Sequence, residues 1–306
     1  MKLRVFFLRK RILIYTAIII SVILIIISVL ARIKGSENVF NAEEGKSYKV
    51  DLTGDGEKDV LNIKVLNKKY YLSVDSKEDS FQLSPVKNGE SAGDYLKEWP
   101  LNIILEDINR DRIPEIFSQG QLKNKPYLNI FKFKDSEFEN ILSSNSSILG
   151  LIDTSNNKTV KLLSGKIVNN KISLKNYIMV NNKLQEFDYN YKENYIGKDT
   201  VLTFIKYIES LPYGEKEKPD IFSGSLSTDI GNIGKLSGES SKFKFHDGFF
   251  KDIKSDKSGN ISEAEWRLNF SGADNNNQKN NYTISIKLKN EGSQMYSFKI
   301  YSLKIK

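Results

Sequence analysis

Residues 12–31 are an apolar run broken only by hydroxyl side chains such as Thr16, Ser21 and Ser28. At about 1.5 Å of rise per residue, a helix of that length spans roughly 30 Å, the thickness of a bilayer's hydrocarbon core. The pattern predicts a transmembrane anchor over 12–31, with a tail over 1–11 and a polar stalk over 32–45. Beyond the stalk the hydrophobic period falls to two. Val60–Val65, Lys69–Val74, Leu101–Leu105, Tyr127–Phe133, Thr159–Leu163 and Ile172–Val180 read as antiparallel strands between Asn, Gly, Asp and Ser clusters. An all-β domain is therefore expected over 46–190. Near residue 196 the period changes again. Val201, Phe204, Ile205 and Ile208 share one face of a helix, with Asp199 as its N-cap and Pro212 and Gly214 at its close. A Gly/Ser-rich passage at 223–240 precedes four strands near 243–254, 261–270, 281–289 and 295–306. In the last of these, Tyr296, Phe298 and Ile300 hold one phase while Tyr301, Leu303 and Ile305 hold the other, which predicts a bulge. A helix on a bent four-stranded antiparallel sheet gives an α+β domain over 196–306.

Charge sets the expected orientation. Lys2, Arg4, Arg9, Lys10 and Arg11 precede the apolar run, and only Arg32 and Lys34 closely follow it. The heavier basic flank belongs in the cytoplasm, which places the C-terminal domains outside. A cleaved signal peptide is the alternative, with Val29-Leu30-Ala31 as its small-residue site. The length of the run and Arg32 behind it favour an anchor. The net charge of +8 and pI near 9.2 invite a nucleic-acid reading. Removing the seven Lys/Arg of residues 1–34 from the chain's 46 leaves 39 basic against 38 acidic residues. The exported part is close to neutral, so no nucleic-acid partner is expected. With no Cys, disulfides, thiol chemistry and lipoprotein processing are excluded. The abundance of Lys, Asn and Ile suggests an AT-rich bacterial genome. The expected location is the outer face of a plasma membrane, with the bilayer as one partner.

The β region carries a weak internal repeat. Segments starting at Tyr48, Ile103 and Leu149 each show an apolar strand, a polar loop opening with Asp, a second strand and a hairpin. The lead residues Asp51, Asp107 and Asp153 lie 56 and 46 residues apart, a period found in blade-type β repeats. In the first loop Asp51, Asp55 and Asp59 stand at positions 1, 5 and 9, with Thr53 at 3 and Gly56 at 6. Hard cations take six to eight oxygens, and alternate side chains of a tight loop converge on one when Gly permits the turn. The second loop keeps Asp107, Asn109, Asp111 and Glu115 but has Arg112 in place of the Gly. The third loses its acids after Asp153 and is expected to be metal-free. The competing explanation is that Asp, Asn and Gly here make ordinary hairpin turns.

These loops resemble the FG-GAP/VCBS repeats of the integrin α-subunit N-terminal type, with D-x-[DN]-x-D-G-x-x-D between two strands of a propeller blade. The resemblance covers roughly 45–190. It implies calcium bound by Asp51, Thr53, Asp55, the Glu57 carbonyl and Asp59. A second ion would be held by Asp107, Asn109, Asp111, the Ile113 carbonyl and Glu115. Three repeats fall short of a closed ring, which takes at least four blades. By element order alone, 196–306 resembles the nuclear-transport-factor-like α+β folds.

Catalytic signals are sparse. His246 is the only histidine, and neighbouring residues of a flat strand face opposite ways, so Asp247 is not expected to act with it. Gly231-Asn232-Ile233-Gly234-Lys235 lacks the first Gly of a phosphate loop and the Ser/Thr after its Lys. Asp256–Asn260 reads as a hairpin turn, and Trp99 and Trp266 as core anchors. The sequence thus points to a non-enzymatic binding or assembly protein of the bacterial envelope, with an unidentified protein or glycan as partner. The alternative is an envelope enzyme acting on wall or carbohydrate through a C-terminal cavity.

Overall fold

The computed structural model describes Tyr15 and residues 19–22, 39–77, 79–85, 91–153, 159–189, 194–212, 218–224, 231–239, 241–274, 276–292 and 295–306. The chain divides into two compact units, Met1–Asn38 and Val39–Lys306. In the first, the described residues are helical, and Tyr15, Ile19, Ile20 and Val22 are exposed. The rest of the expected anchor lies outside the described residues, among which no helix is long and apolar enough to cross a membrane.

The second unit is mostly β, in three sheets. β2 (Ser47–Val50), β3 (Asp59–Leu66), β4 (Lys69–Asp75) and β5 (Ser80–Leu83) form an antiparallel meander, with β6 (Gly93–Asp94) also paired to β4. β7 (Asn102–Glu106), β8 (Glu115–Leu122), β9 (Lys125–Lys134) and β10 (Glu137–Ser144) form a second, with β1 (Val39–Asn41) on its edge. β11 (Ile148–Ile152), β12 (Lys161–Val168), β13 (Lys171–Val180) and β14 (Lys183–Phe187) form a third.

The repeat seen in the sequence is a repeat in space. Each residue from Asp51 through the β3–β4 hairpin has a counterpart 56 positions on in β7–β9, and 46 positions further lies β11–β13. Its hairpins turn at Asn67-Lys68, Lys123-Asn124 and Asn169-Asn170, and both residues of every pair have positive φ. That geometry matches the right-handed twist of the flanking strands.

The β7–β10 sheet is buried on both faces, so β8 reads as a continuous interior run rather than an alternation. Ile103, Leu105, Ile116 and Phe131 pack against Leu61, Ile63, Leu72 and Val74 of the first sheet. Ile104, Phe117, Leu128 and Ile130 pack against Leu149, Leu151, Leu162 and Phe249 on the other side.

The third meander continues into β15 (Ser241–Ser255), β16 (Ile261–Ala273), β17 (Lys279–Asn290) and β18 (Phe298–Ile305), because β11 pairs with β15 in parallel. The expected junction at 190–196 therefore falls inside one compact unit with one eight-stranded sheet. Helix α1 (Lys198–Glu209) packs on that sheet through Val201, Phe204, Ile205 and Ile208, alongside Ile148, Leu163, Phe250 and Trp266.

Three local details depart from the sequence reading or refine it. The N-cap of α1 is Gly197 at φ 69°, not Asp199, whose carboxylate instead accepts the Thr200 N–H. Gly197 lies against Phe298 and Leu288, where a Cβ would not fit. A second helix, α2 (Gly231–Glu239), forms in the Gly/Ser passage, where Ile233 and Leu236 reach the core and outweigh a poor helix composition. In β18 the register slips between Ile300 and Ser302, which makes Tyr301 the extra residue of the anticipated bulge.

Candidate functional site

The two acid-rich loops share four hydrogen bonds at equivalent positions. In loop one, Asp51 accepts the N–H groups of Gly54 and Gly56 at 2.7 and 3.1 Å. In loop two, Asp107 accepts those of Arg110 and Arg112 at 2.6 and 2.8 Å. The final acid closes each loop. Asp59 accepts the Leu52 N–H at 2.6 Å, and Glu115 accepts the Ile108 N–H at 2.9 Å. Leu52 and Ile108 are buried beneath. The central acid accepts the N–H two residues on, from Glu57 to Asp55 and from Ile113 to Asp111.

Arg112 does not spoil the turn. Arg110 and Arg112 hold φ of 65° and 75°, matching 79° and 86° at Gly54 and Gly56. The Asp107 bonds and the Arg110–Asp153 ion pair offset the strain of a left-handed backbone at non-glycine residues.

The loops differ in what faces the acids. Strand register sets Lys132 of β9 opposite Glu115. Its buried ammonium lies 3.0 Å from Asp111 and 3.3 Å from Glu115. Burial pushes the Glu115 carboxyl up to about 7, against the Ile108 N–H and the Lys132 charge. For Asp111, burial acts upward too, but the Ile113 N–H, Lys132 and Asn109 together hold it below its ordinary value. In repeat one the corresponding ladder ends at Val60 and Asp75, and the residue that follows it, 56 positions before Lys132, is Ser76. Among the described residues, no cation pairs with Asp51, Asp55 or Asp59. Asp59 is nonetheless 2 % exposed.

Glu57 is exposed and pairs with Lys77 at 3.2 Å, while the Ile113 side chain lies over Gly54. Among the described residues no three acidic or histidine side chains converge on a common point. In loop two an ammonium sits between two of the expected ligands, so a divalent ion does not fit that arrangement. In loop one Asp51 has both oxygens turned to backbone donors. Of the third loop, residues 154–158 lie outside the described residues. Asp153 pairs with Arg110 and donates its N–H to Asp252.

Loop one opens on a cleft of about 440 Å³ lined by Thr53, Asp55, Glu57, Ser76, Lys77, Asp79, Phe81, Phe133 and Ser136. Phe81, Phe133 and Phe138 pack edge-on and tilted with ring centroids 5.0–5.7 Å apart. A smaller cleft of about 240 Å³ lies beside loop two, between Glu106, Asp107, Asp153, Lys251 and Asp252 over Ile108, Leu151 and Val160.

His246 and Asp247 are not separated as a flat strand would have them. A β15 bulge between Phe245 and Asp247 displaces His246, and one indole touches both residues. Trp99 stacks on His246 with centroids 4.3 Å apart and donates to Asp247 at 2.5 Å. Asn102 and Asn269 also donate to Asp247. Burial raises Asp247 to about 7. Burial, with Lys244 and Lys279, lowers His246 to about 4. Among the described residues neither imidazole nitrogen has a hydrogen-bond partner. The cluster locks β7 to the large sheet. Trp266 is buried and donates to the Ile196 carbonyl, as a core anchor does.

No family model matches the chain, and no curated protein or solved structure compared with it does so either.

Proposed function

We propose that this chain is a membrane-anchored, extracytoplasmic binding and assembly protein of the bacterial envelope. Residues 12–31 are its single span, the N-terminus is cytoplasmic, and the loop-one cleft is its binding face. The observation that supports the reading is that cleft, where hydroxyls and three carboxylates meet an aromatic wall. Concave sites with a few convergent polar groups on an apolar wall are where ligands bind. The blade-like repeats then act as a rigid stack that presents the cleft. Crosslinking of the intact protein in its native membrane, with Phe133→Asp as the cleft-blocked control, tests it. A specific crosslinked species that the control loses is expected; capture indifferent to the substitution overturns the reading. Calcium at Asp51, Thr53, Asp55, Glu57 and Asp59 is the metal reading of the same loop. It uses the lone pairs that the Asp51 oxygens retain beside their N–H donors, and a melting temperature that rises in millimolar calcium would support it.

A second reading is an enzyme acting on wall or carbohydrate. It is favoured by the smaller cleft, where Asp107, Asp153 and Asp252 are gathered with Lys251. Release of soluble fragments from purified wall by the full chain, lost in Asp252→Asn, would support it.

A further inference from the structure

We propose that loop one takes the primary ammonium group of a lysine side chain presented by a partner polypeptide. The inference rests on the binding reading above and names the chemistry of its ligand. Repeat two shows what such a turn holds. The Lys132 ammonium bridges Asp111 and Glu115 from β9, the strand paired with β8. Repeat one reproduces four bonds of the turn, with Asp55 standing for Asp111 and Asp59 for Glu115, and adds bonds from the Thr53 N–H and hydroxyl to Asp59. It lacks the tethered cation, because Ser76, the residue following β4, stands 56 residues before Lys132 in sequence.

Two consequences follow. Asp59 is a buried carboxylate held by the Leu52 and Thr53 N–H groups, with no counter-charge among the described residues. A buried carboxylate of this kind is stabilised by an arriving cation. Serine is also shorter than lysine, and Ser76, Asp55 and Thr53, the last bonded to the buried Asp59, line the cleft. Phe81 and Phe133 on its wall suit the four-carbon stem of a lysine, which buries its methylenes along apolar surface while its head seeks charge. The lining carries Asp55, Glu57 and Asp79 against Lys77 alone, so charge complementarity favours a cationic partner over an anionic one. Lys77 is held by Glu57 at the rim.

The test uses the full chain in detergent micelles, with amide resonances of Gly54, Gly56 and Ser76 as reporters. Nα-acetyl-lysine amide is the probe, the norleucine analogue controls for the stem alone, and calcium chloride is a third arm. Saturable shifts with the lysine probe are expected at roughly millimolar affinity, the range for one small charged group. The norleucine analogue should leave the reporters unmoved. Asp55→Asn should weaken the probe about tenfold, the loss of one charge-assisted contact. Ser76→Lys should abolish probe binding and raise the melting temperature, because it supplies the ammonium from within, as Lys132 does. No binding, equal binding of norleucine, or binding unaffected by Ser76→Lys overturns the proposal. Shifts with calcium alone overturn it in favour of the metal. If native-membrane capture still depends on Phe133 in any of these cases, the broader reading survives without the ammonium site; if capture also fails, both fall.

Discussion

Lys132 is a single residue that decides the chemistry of a whole loop. Its ammonium compensates two carboxylates, one of them buried, within a sheet that is covered on both faces. Removing that ammonium leaves the buried Glu115 without its counter-charge. The carboxyl, already raised to about 7, must take up a proton at pH 7, while Asp111 loses an ion pair. Lys132→Met should therefore cost about 3 kcal/mol. Adding Glu115→Gln should restore part of it, and urea denaturation of the single and double variants at pH 7 measures the coupling. A loss under about 1 kcal/mol would mark the pair as peripheral. His246 makes a separate prediction. Its pKa is depressed to about 4, so the fold favours the neutral ring, and that contribution is lost as pH falls from about 6.5 to 4. Glu115 and Asp247 act in the opposite sense: their carboxyls are raised to about 7. Each favours the protonated form, and each loses stability as pH rises through the same window. In His246→Phe, which keeps a ring against Trp99, only the downward slopes remain. The stability difference between wild type and variant should therefore grow in favour of wild type from pH 4 to 6.5, by on the order of 2 kcal/mol, and be level above. A difference independent of pH would mean the ring is not buried neutral.

At the scale of elements, the contact of β11 with β15 joins the third repeat to the last four strands. It depends on Gly150, which pairs with Phe250 and lies so close to that ring that a Cβ would overlap it. Phe250 cannot withdraw, because it packs on Trp266. Gly150→Val should accordingly cost about 3 kcal/mol or more through overpacking, measured by chemical denaturation. A near-neutral result would mean that the two strands part readily. The repeats show a different economy of residues. Elements whose sequences share little beyond a lead Asp and a final acid fold alike. The Asp accepts two N–H groups, the acid accepts a third, and a two-residue turn of positive φ reverses the chain. The sequence made loop two the weaker copy for its Arg112, yet arginines there hold the same positive φ as the glycines of loop one.

At the scale of the molecule, Val39–Lys306 is expected to unfold as one unit. The core around α1 draws on Ile148, Ile152, Leu163 and Ile172 from the third repeat as well as on β15–β18. A fragment beginning at residue 196 loses those partners and the β11 edge together, and should not fold alone. Limited proteolysis followed by refolding of the 196–306 piece is the check. A stable, cooperatively melting fragment would instead support the expected junction there. Arg267 of β16 adds a tie across the chain, since its guanidinium donates to the Val39 carbonyl and to Asn41 at the start of the unit.

Local pattern carried a large part of this structure. Alternation placed strands such as β3 and β4 because period two reports which side chains a pleat hides, while β8, covered on both faces, carries no such signal. The spacing of Val201, Phe204, Ile205 and Ile208 placed α1, since that face is set by helical geometry alone. The phase change at Tyr301 announced its bulge, and the Asp spacing announced the repeat. What remained for tertiary structure was everything that depends on a partner distant in sequence. The parallel pairing of β11 with β15 has no signal in either strand. Ile233 and Leu236 make a helix of a glycine-rich passage only because a core awaits them. The bulge that brings His246 and Asp247 to one indole arises from register against β16. Above all, the difference between the two acid loops is written in neither loop. It lies in a residue beyond each loop, Ser76 or Lys132, and only folding brings Lys132 to the carboxylates.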